Sequence, residues 1–173
     1  MSERTTNMRG NPLPLVGPEL KAGDAAPDFK LHQRGSEGLK DVTLEDFSGK
    51  TLLLSVVPSL DTPVCEAQTK KLDESVYSLP TGVEILTVSM DLPFAQARFC
   101  TDKGVHSVQT ASDHRDAGFG KGYGTLIEPL RIMSRALFVV GPDRTIRYVE
   151  YVPEVTEHPN YDAALEAARQ PSD

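Results

Sequence analysis

The sequence predicts an α/β fold: a central mixed β-sheet with helices on both faces. Three observations carry that expectation. Residues 51–57 and 83–90 are apolar or β-branched almost throughout, as strands covered on both faces are, and each is followed by a helix-compatible segment. Residues 135–140 and 145–152 form an apolar pair around Gly141-Pro142-Asp143-Arg144, a hairpin signal. Residues 161–169 close the chain as an Ala-rich helix. Strand, helix, strand, helix, hairpin and final helix assemble most simply as a mixed sheet with helical layers on its two sides.

Taken in order, the first 23 residues are rich in turn formers (Gly10, Asn11, Pro12, Pro14, Gly17, Pro18) and suggest an N-terminal β-hairpin with Leu13, Leu15 and Val16 turned inward. A short strand follows Pro27, a loop spans Gly35-Ser36-Glu37-Gly38, and residues 42–47 read as a short strand plus one helical turn closed by Gly49. After the strand at 51–57, Thr62 is a favourable N-cap. Pro63 is a favourable first helical residue, because its missing N–H would have had no partner. A helix is expected from there to about Ser78, with Val64, Ala67, Leu72, Val76 and Leu79 facing inward and Gln68 interrupting that stripe. Asp91-Leu92-Pro93 opens a second helix, from Phe94 to about Lys103, stopped by Gly104. Residues 106–110 suggest a short strand. Residues 116–124 hold four glycines and show no clear period. The last helix should bury Leu165.

The 173 residues show no internal repeat, low-complexity tract or linker, so 1–173 reads as one domain, long enough for a substantial core. A net charge of −7 with no basic block argues against nucleic acid and anionic membrane surfaces as partners. No apolar run approaches the ~20 residues of a membrane helix. The polar N-terminus lacks a signal-peptide core, which makes the cytoplasm the expected compartment. Two cysteines are too few for a disulfide framework, and cytosolic disulfides tend to be transient and catalytic.

The chemistry concentrates at Pro58-Ser59-Leu60-Asp61-Thr62-Pro63-Val64-Cys65, between the strand at 51–57 and the helix after Thr62. That position puts Cys65 in a first helical turn, where free backbone N–H groups and the positive end of the helix dipole favour a thiolate over a thiol. Cys65 is therefore the candidate nucleophile.

Pro58-x-x-x-Thr62-x-x-Cys65 matches the active-site pattern of peroxiredoxins, and the full eight-residue stretch resembles the bacterial thiol peroxidase branch of that family. The segment from Asp91 to Cys100 (DLPFAQARFC) resembles that branch's second-cysteine helix. Arg135, ahead of Ala136-Leu137-Phe138-Val139-Val140, stands where the family has its active-site arginine. The stretch from Glu154 to Tyr161 and Gly10-Asn11-Pro12-Leu13 resemble its C-terminal segment and N-terminal hairpin, although Met8 stands where an aromatic residue is usual. The resemblance covers nearly the whole chain and implies a thioredoxin-like fold and a thiol-dependent peroxidase. On that pattern the Cys65 thiolate attacks a hydroperoxide and becomes a sulfenic acid, and Cys100 condenses with it into a disulfide. Thioredoxin then reduces that bond. The resemblance implies no metal, haem or flavin, and it implies a homodimer. Arg135 would hold sulfur and peroxide oxygen in its donor fork. The Thr62 hydroxyl would accept from the peroxide or donate to sulfur, and Pro58 and Pro63 would shield the site.

Each residue also has a plainer reading. A cysteine in a helix is often a small core hydrophobe, Thr62 could be only a cap, Arg135 a surface ion pair and Pro58 a strand end. The four histidines, at 32, 106, 114 and 158, show no metal-ligand spacing and read as non-catalytic. A redox relay that passes oxidation to a partner protein would use the same cysteine pair. A dithiol oxidoreductase would need a Cys-x-x-Cys motif, which the chain lacks, its cysteines being 35 positions apart. Because Cys65 begins one helix and Cys100 lies near the end of the next, the two sulfurs are expected to be apart in the reduced fold. Residues 62–69, 94–104 or both would then unwind before a disulfide forms.

Overall fold

The structure is a computed structural model and describes residues 3–171, so the first two residues of the expected N-terminal segment lie outside it. Along the chain come β1 (Thr5–Met8), β2 (Asn11–Val16), β3 (Lys30–Gly35), β4 (Gly38–Thr43), β5 (Thr51–Val56), α1 (Pro63–Ser75), β6 (Val83–Ser89), α2 (Pro93–Lys103), β7 (Gln109–Ser112), α3 (Gly118–Tyr123), β8 (Leu126–Ile127), β9 (Ile132–Met133), β10 (Ala136–Val140), β11 (Ile146–Tyr151) and α4 (Tyr161–Arg169). Single 3-10 turns occupy Leu44–Phe47, Val76–Ser78 and Glu128–Leu130.

Seven strands form the main sheet, in the order β11-β10-β5-β6-β7-β3-β4. β5, β6 and β7 run parallel, joined by the crossover helices α1 and α2, and the remaining pairings are antiparallel. The N-terminal hairpin β1–β2 continues through β8 and β9 as a separate four-stranded sheet.

Every residue of β5 is buried, because both faces of the main sheet are covered. The period of two splits the strand between two cores. Leu52, Leu54 and Val56 join Phe29, Phe119, Tyr123 and Phe138 on one face, with α3. Leu53 and Val57 join Cys65, Leu72, Phe99 and Leu165 on the other, with α1, α2 and α4. β10 divides likewise, Ala136, Phe138 and Val140 against Leu137 and Val139. By the same alternation Ser55 and Arg135 fall on the Cys65 face. This mixed sheet with helices on both sides is the expected architecture.

Three local expectations are corrected. In α1 the buried residues are Cys65, Gln68, Thr69 and Leu72, while Ala67 is exposed, so the helix is rotated from the purely apolar stripe. The α-helix also ends at Ser75 and continues only as a 3-10 turn to Ser78. The strand expected at 106–110 begins later, at Gln109.

The glycine-rich 118–124 stretch turns out to be α3 with Gly124 as its cap, and at that cap the need for glycine is steric. Gly124 ends the helix at φ 69°, and a Cβ there would sit 1.9 Å from the Pro18 carbonyl oxygen. Arg4 reinforces that junction by donating to the carbonyls of Gly17, Pro18 and Gly124. The start of α3 is wrapped by the buried Asp113 carboxylate, which accepts from the N–H groups of Phe119 (3.1 Å) and Gly120 (2.9 Å). Burial raises Asp113 to about 6, against those two bonds. A carboxyl raised in the folded state contributes stability below its unfolded value near 4 and loses it as pH rises through 6. Asp113→Asn should remove that dependence. In urea titrations, the stability of the unaltered protein relative to the variant should fall by about 1 kcal/mol per pH unit between pH 4 and 6 and be level above pH 7. A difference independent of pH would show that Asp113 carries no such shift.

Candidate active site

β5 delivers the chain to Pro58, which is buried at the base of the loop leading to α1. The loop is held by one carboxylate. Asp91 accepts from the Ser59 hydroxyl (2.7 Å), the Leu60 N–H (2.9 Å) and the Ser89 hydroxyl (2.7 Å), tying the loop to the end of β6. Thr62 takes the extended backbone of an N-cap, with φ −113° and ψ 148°, and Pro63 begins the helix. The Thr62 hydroxyl does not cap the helix. It donates to the Ser59 carbonyl (2.9 Å) and closes the loop on itself. The first intrahelical bond in α1 runs from the Glu66 N–H to the Thr62 carbonyl, so the N–H groups of Val64 and Cys65 precede it and have no helical partner.

Cys65 is the third residue of α1 and is fully buried. The Arg135 guanidinium, itself only 2% exposed, donates from Nη2 to Cys65 Sγ at 3.3 Å. Three of its other four N–H donors are used. Nε and Nη2 donate to the Val155 carbonyl (3.0 and 2.7 Å), and Nη1 donates to Gln68 Oε1 (2.9 Å). Gln68 in turn donates to the Ser55 hydroxyl on β5 (2.8 Å). No ion pair found among the described residues includes Arg135, which leaves its charge turned toward the sulfur. The surface ion-pair reading of Arg135 is thereby excluded.

The Val155 carbonyl is placed from the other end of the chain. The Asn7 N–H donates to Pro153 O and the Val155 N–H donates to Asn7 O, both at 2.9 Å, and the Gly10 N–H donates to Glu154 Oε1 at 2.8 Å. The N-terminal hairpin is therefore part of the support for the arginine. Its tip also forms a wall of a cavity of about 450 Å³, where Met8 and Asn11 face Pro58, Thr62, Pro63, Val64, Ile132, Arg135 and Val155. The exposed wall of this cavity is mostly apolar, with Arg9, Asn11, Ser59, Thr62, Arg135 and Thr156 as its polar members, and it opens onto the residues around the thiol.

Cys100 lies in α2, half-buried, on the same face of the sheet as Cys65. Both thiols are free. The neighbour of Cys100 Sγ is Thr110 Oγ1, at 3.9 Å. Burial pushes the Cys100 thiol up, the Thr110 contact opposes that, and the negative charge of Asp73 adds to it. The two cysteines thus differ in kind: one sulfur faces a guanidinium, and the other is pushed toward its protonated form by burial and by the charge of a carboxylate. The segments carrying them are joined by a Glu66–Lys103 ion pair (3.3 Å). They are also joined by Asp73 of α1, whose Oδ1 accepts from the N–H groups of His106, Ser107 and Val108.

Residue reading of the sequence did not find Gln68, Ser55, Asp91 or Val155 as parts of this arrangement. The signal for Gln68 was present as a polar break in an otherwise apolar helix face. Val155 acts through its backbone, which leaves no mark in side-chain chemistry. Among the histidines, His32 Nδ1 and His114 Nε2 lie 3.0 Å apart on the far edge of the sheet, and His158 pairs with the Tyr161 hydroxyl (2.6 Å). Among the described residues no group of three or more His, Cys, Asp or Glu side chains could hold a metal ion.

Comparison with known proteins points one way. Residues 21–165 match the Redoxin family. The chain is 52% identical to the thiol peroxidase of Halalkalibacterium halodurans over 161 residues, which is 93% of this chain and 95% of that protein. It is 45% identical to the thiol peroxidase of Bacillus subtilis, over 93% of this chain and 94% of that one. Among solved structures, a peroxiredoxin-like protein from Aquifex aeolicus superposes with a TM-score of 0.87 at 42% identity, covering 95% of both chains. The thiol peroxidase from Chromobacterium violaceum shares the fold, with a TM-score of 0.83 at 24% identity.

The geometry around sulfur can be tested without any substrate. Arg135→Ala removes the only cation seen bonded to Cys65, and iodoacetamide alkylation of Cys65 at pH 7 should slow about tenfold or more, since alkylation needs the thiolate. Arg135→Lys should recover part of the rate, because it restores charge but not the fork that reaches Gln68, Val155 and sulfur together. Equal alkylation rates in all three proteins, read by mass spectrometry of the modified peptide, would mean that Arg135 does not activate the sulfur.

Proposed function

We propose, from the premise that this chain belongs to the thiol peroxidases of the Redoxin family and is a peroxiredoxin-type enzyme, that Cys65 is its peroxidatic residue and Cys100 its resolving residue. The observation that carries this reading is the buried Arg135 guanidinium donating to Cys65 Sγ at 3.3 Å, at the start of a helix and beside an apolar cavity. In the first step the Cys65 thiolate attacks the outer oxygen of a hydroperoxide. The O–O bond breaks, Cys65 becomes a sulfenic acid, and the departing alkoxide or hydroxide leaves as alcohol or water after taking a proton. Arg135 and the free N–H groups of Val64 and Cys65 are the donors available to the charge that moves from sulfur to oxygen. Thr62 and Pro58 complete the wall on the substrate side, Thr62 with its hydroxyl and Pro58 by excluding water.

In the second step Cys100 attacks the Cys65 sulfenic sulfur. The S–S bond forms, the S–O bond breaks, and the proton released by the Cys100 thiol leaves with that oxygen as water. A protonated Cys100 is a poor competitor for peroxide, which suits it to this role. Reduction of the disulfide by thioredoxin, a homodimeric assembly and a cytoplasmic setting rest on the resemblance to the family. No helix among the described residues is long and apolar enough to cross a membrane. The lining of Met8, Pro58, Val64, Ile132 and Val155 favours organic hydroperoxides alongside hydrogen peroxide.

Cys65→Ser should abolish peroxide reduction in a coupled assay with thioredoxin, its reductase and NADPH, while circular dichroism stays unchanged. Cys100→Ser should consume about one peroxide per chain and then stall as a sulfenic acid trapped by dimedone. Sustained turnover in either variant would overturn the corresponding assignment. A stoichiometric oxidation without turnover in the unaltered protein would favour the redox-relay reading instead.

Gln68 should act through Arg135. Gln68→Ala leaves Nη1 of a buried guanidinium without its acceptor, so the peroxide rate constant should fall about tenfold while Cys65 remains the oxidised residue. Stopped-flow measurement of the first oxidation would check this, and a rate equal to the unaltered protein would show that Arg135 needs no such brace.

A further inference from the structure

Asp73 lies outside the peroxide site, two helical turns beyond Cys65, and makes an unusual set of bonds. One of its carboxylate oxygens, Oδ1, accepts from three successive backbone N–H groups, those of His106 (3.2 Å), Ser107 (2.7 Å) and Val108 (3.0 Å). These residues follow α2, beyond the left-handed Gly104 that ends it. The other end of α2 is fixed too, since Asp91 is held by Ser59, Leu60 and Ser89. The helix that carries Cys100 is therefore strung between two carboxylate anchors, at 91 and at 106–108. Between them it buries only Pro93, Gln96 and Phe99.

Eight residues of α1 separate Cys65 from Asp73, ~12 Å along the axis at 1.5 Å per residue. The Cys100 sulfur has Thr110 as its neighbour and lies within the field of Asp73, while Lys103, one turn further along α2, pairs with Glu66 beside Cys65. A disulfide needs the two Cα atoms within ~7 Å. Cys65 is held in place by Arg135, and its carbonyl by the Thr69 hydroxyl (2.9 Å), so the economical motion is on the Cys100 side. The 14 residues 92–105 unwound could reach ~46 Å at 3.3 Å each, ample slack for Cys100 to travel with both anchors closed.

We propose that Asp73 is a positioning residue for the disulfide-forming step: it keeps the far end of the 92–105 segment clamped to α1 while α2 unwinds and carries Cys100 to Cys65. This rests on the reading of Cys100 as the resolving thiol. The clamp raises the effective concentration of Cys100 at the sulfenic acid by keeping the loop short and its end close. It makes no contact with Cys65, Arg135 or the cavity, so the peroxide step does not depend on it.

The test separates the two steps by rapid mixing with one equivalent of hydrogen peroxide. In Asp73→Ala, sulfenic acid formation at Cys65 should keep its rate, disulfide formation should slow about tenfold, and over-oxidation of Cys65 to the sulfinic acid at excess peroxide should rise in proportion. Asp73→Asn keeps an acceptor oxygen without the charge, and its disulfide rate should lie between the other two. It also serves if the alanine variant does not fold. A purely structural loss would slow the first step as well, and that outcome overturns the proposal. So does a disulfide rate in the asparagine variant equal to or faster than that of the unaltered protein. Failure of the unaltered protein to form a Cys65–Cys100 disulfide, seen as no loss of two hydrogens in the linked peptides, would overturn the resolving role of Cys100 itself. It is read in a different sample.

Discussion

A guanidinium buried beside a thiol is the constraint from which much of this structure follows. Removing an unpaired cation from water costs several kcal/mol. The fold offsets that cost with acceptors instead of a carboxylate. Val155 supplies a carbonyl to two nitrogens and Gln68 supplies an amide oxygen to a third. A carboxylate in either place would have neutralised the charge and turned it away from sulfur. Neutral acceptors hold the side chain and leave its field to act on Cys65.

Those acceptors explain features that are otherwise isolated. Gln68 faces inward at the expense of an apolar position because it bridges Arg135 to Ser55 on the central strand. The rotation of α1 follows, with Ala67 exposed and Cys65 and Leu72 in the core. The Val155 carbonyl needs a fixed backbone, and the residues around it have no strand of their own. The N-terminal hairpin provides one through Asn7 and Gly10. That hairpin is in turn seated by Leu15 and Val16 pairing with β8 and by Arg4 against the end of α3. The first and last thirds of the chain thus meet at one side chain.

The half of the site around Cys100 is built differently. Around Cys65 the groups are buried and converge on one atom. Around Cys100 the carboxylates of Asp91 and Asp73 bind backbone N–H groups beyond the two ends of α2, while within it Gln96 donates to Ser89 and Ala111 and Lys103 pairs with Glu66. A site that holds a charge benefits from rigidity, and the proposed motion of α2 is compatible with restraint at its ends. The small buried face of α2, with Leu92 and Phe94 about half exposed, belongs to the same division.

The sequence by itself determined the architecture and both cysteines. Apolar runs at 51–57 and 83–90, helix signals at Pro63 and Pro93, and the hairpin turn at 141–144 are local patterns whose physics needs no partner. The eight residues from Pro58 to Cys65 define a loop and first turn almost independently of the rest. Arg135 was legible as a candidate, but its burial was not, because a charged residue ahead of a strand reads equally well as surface. Tertiary structure alone decided the rotation of α1, the use of the Thr62 hydroxyl on Ser59, and the parts played by Gln68, Asp91, Asp73 and the Val155 carbonyl. Each of these depends on groups 3 to more than 60 residues apart, and an amphipathic pattern records whether a side chain is apolar, not which buried donor awaits it. Gly124 at the end of α3 was silent for the same reason: what it accommodates is the backbone of Pro18, and only the folded chain brings it there.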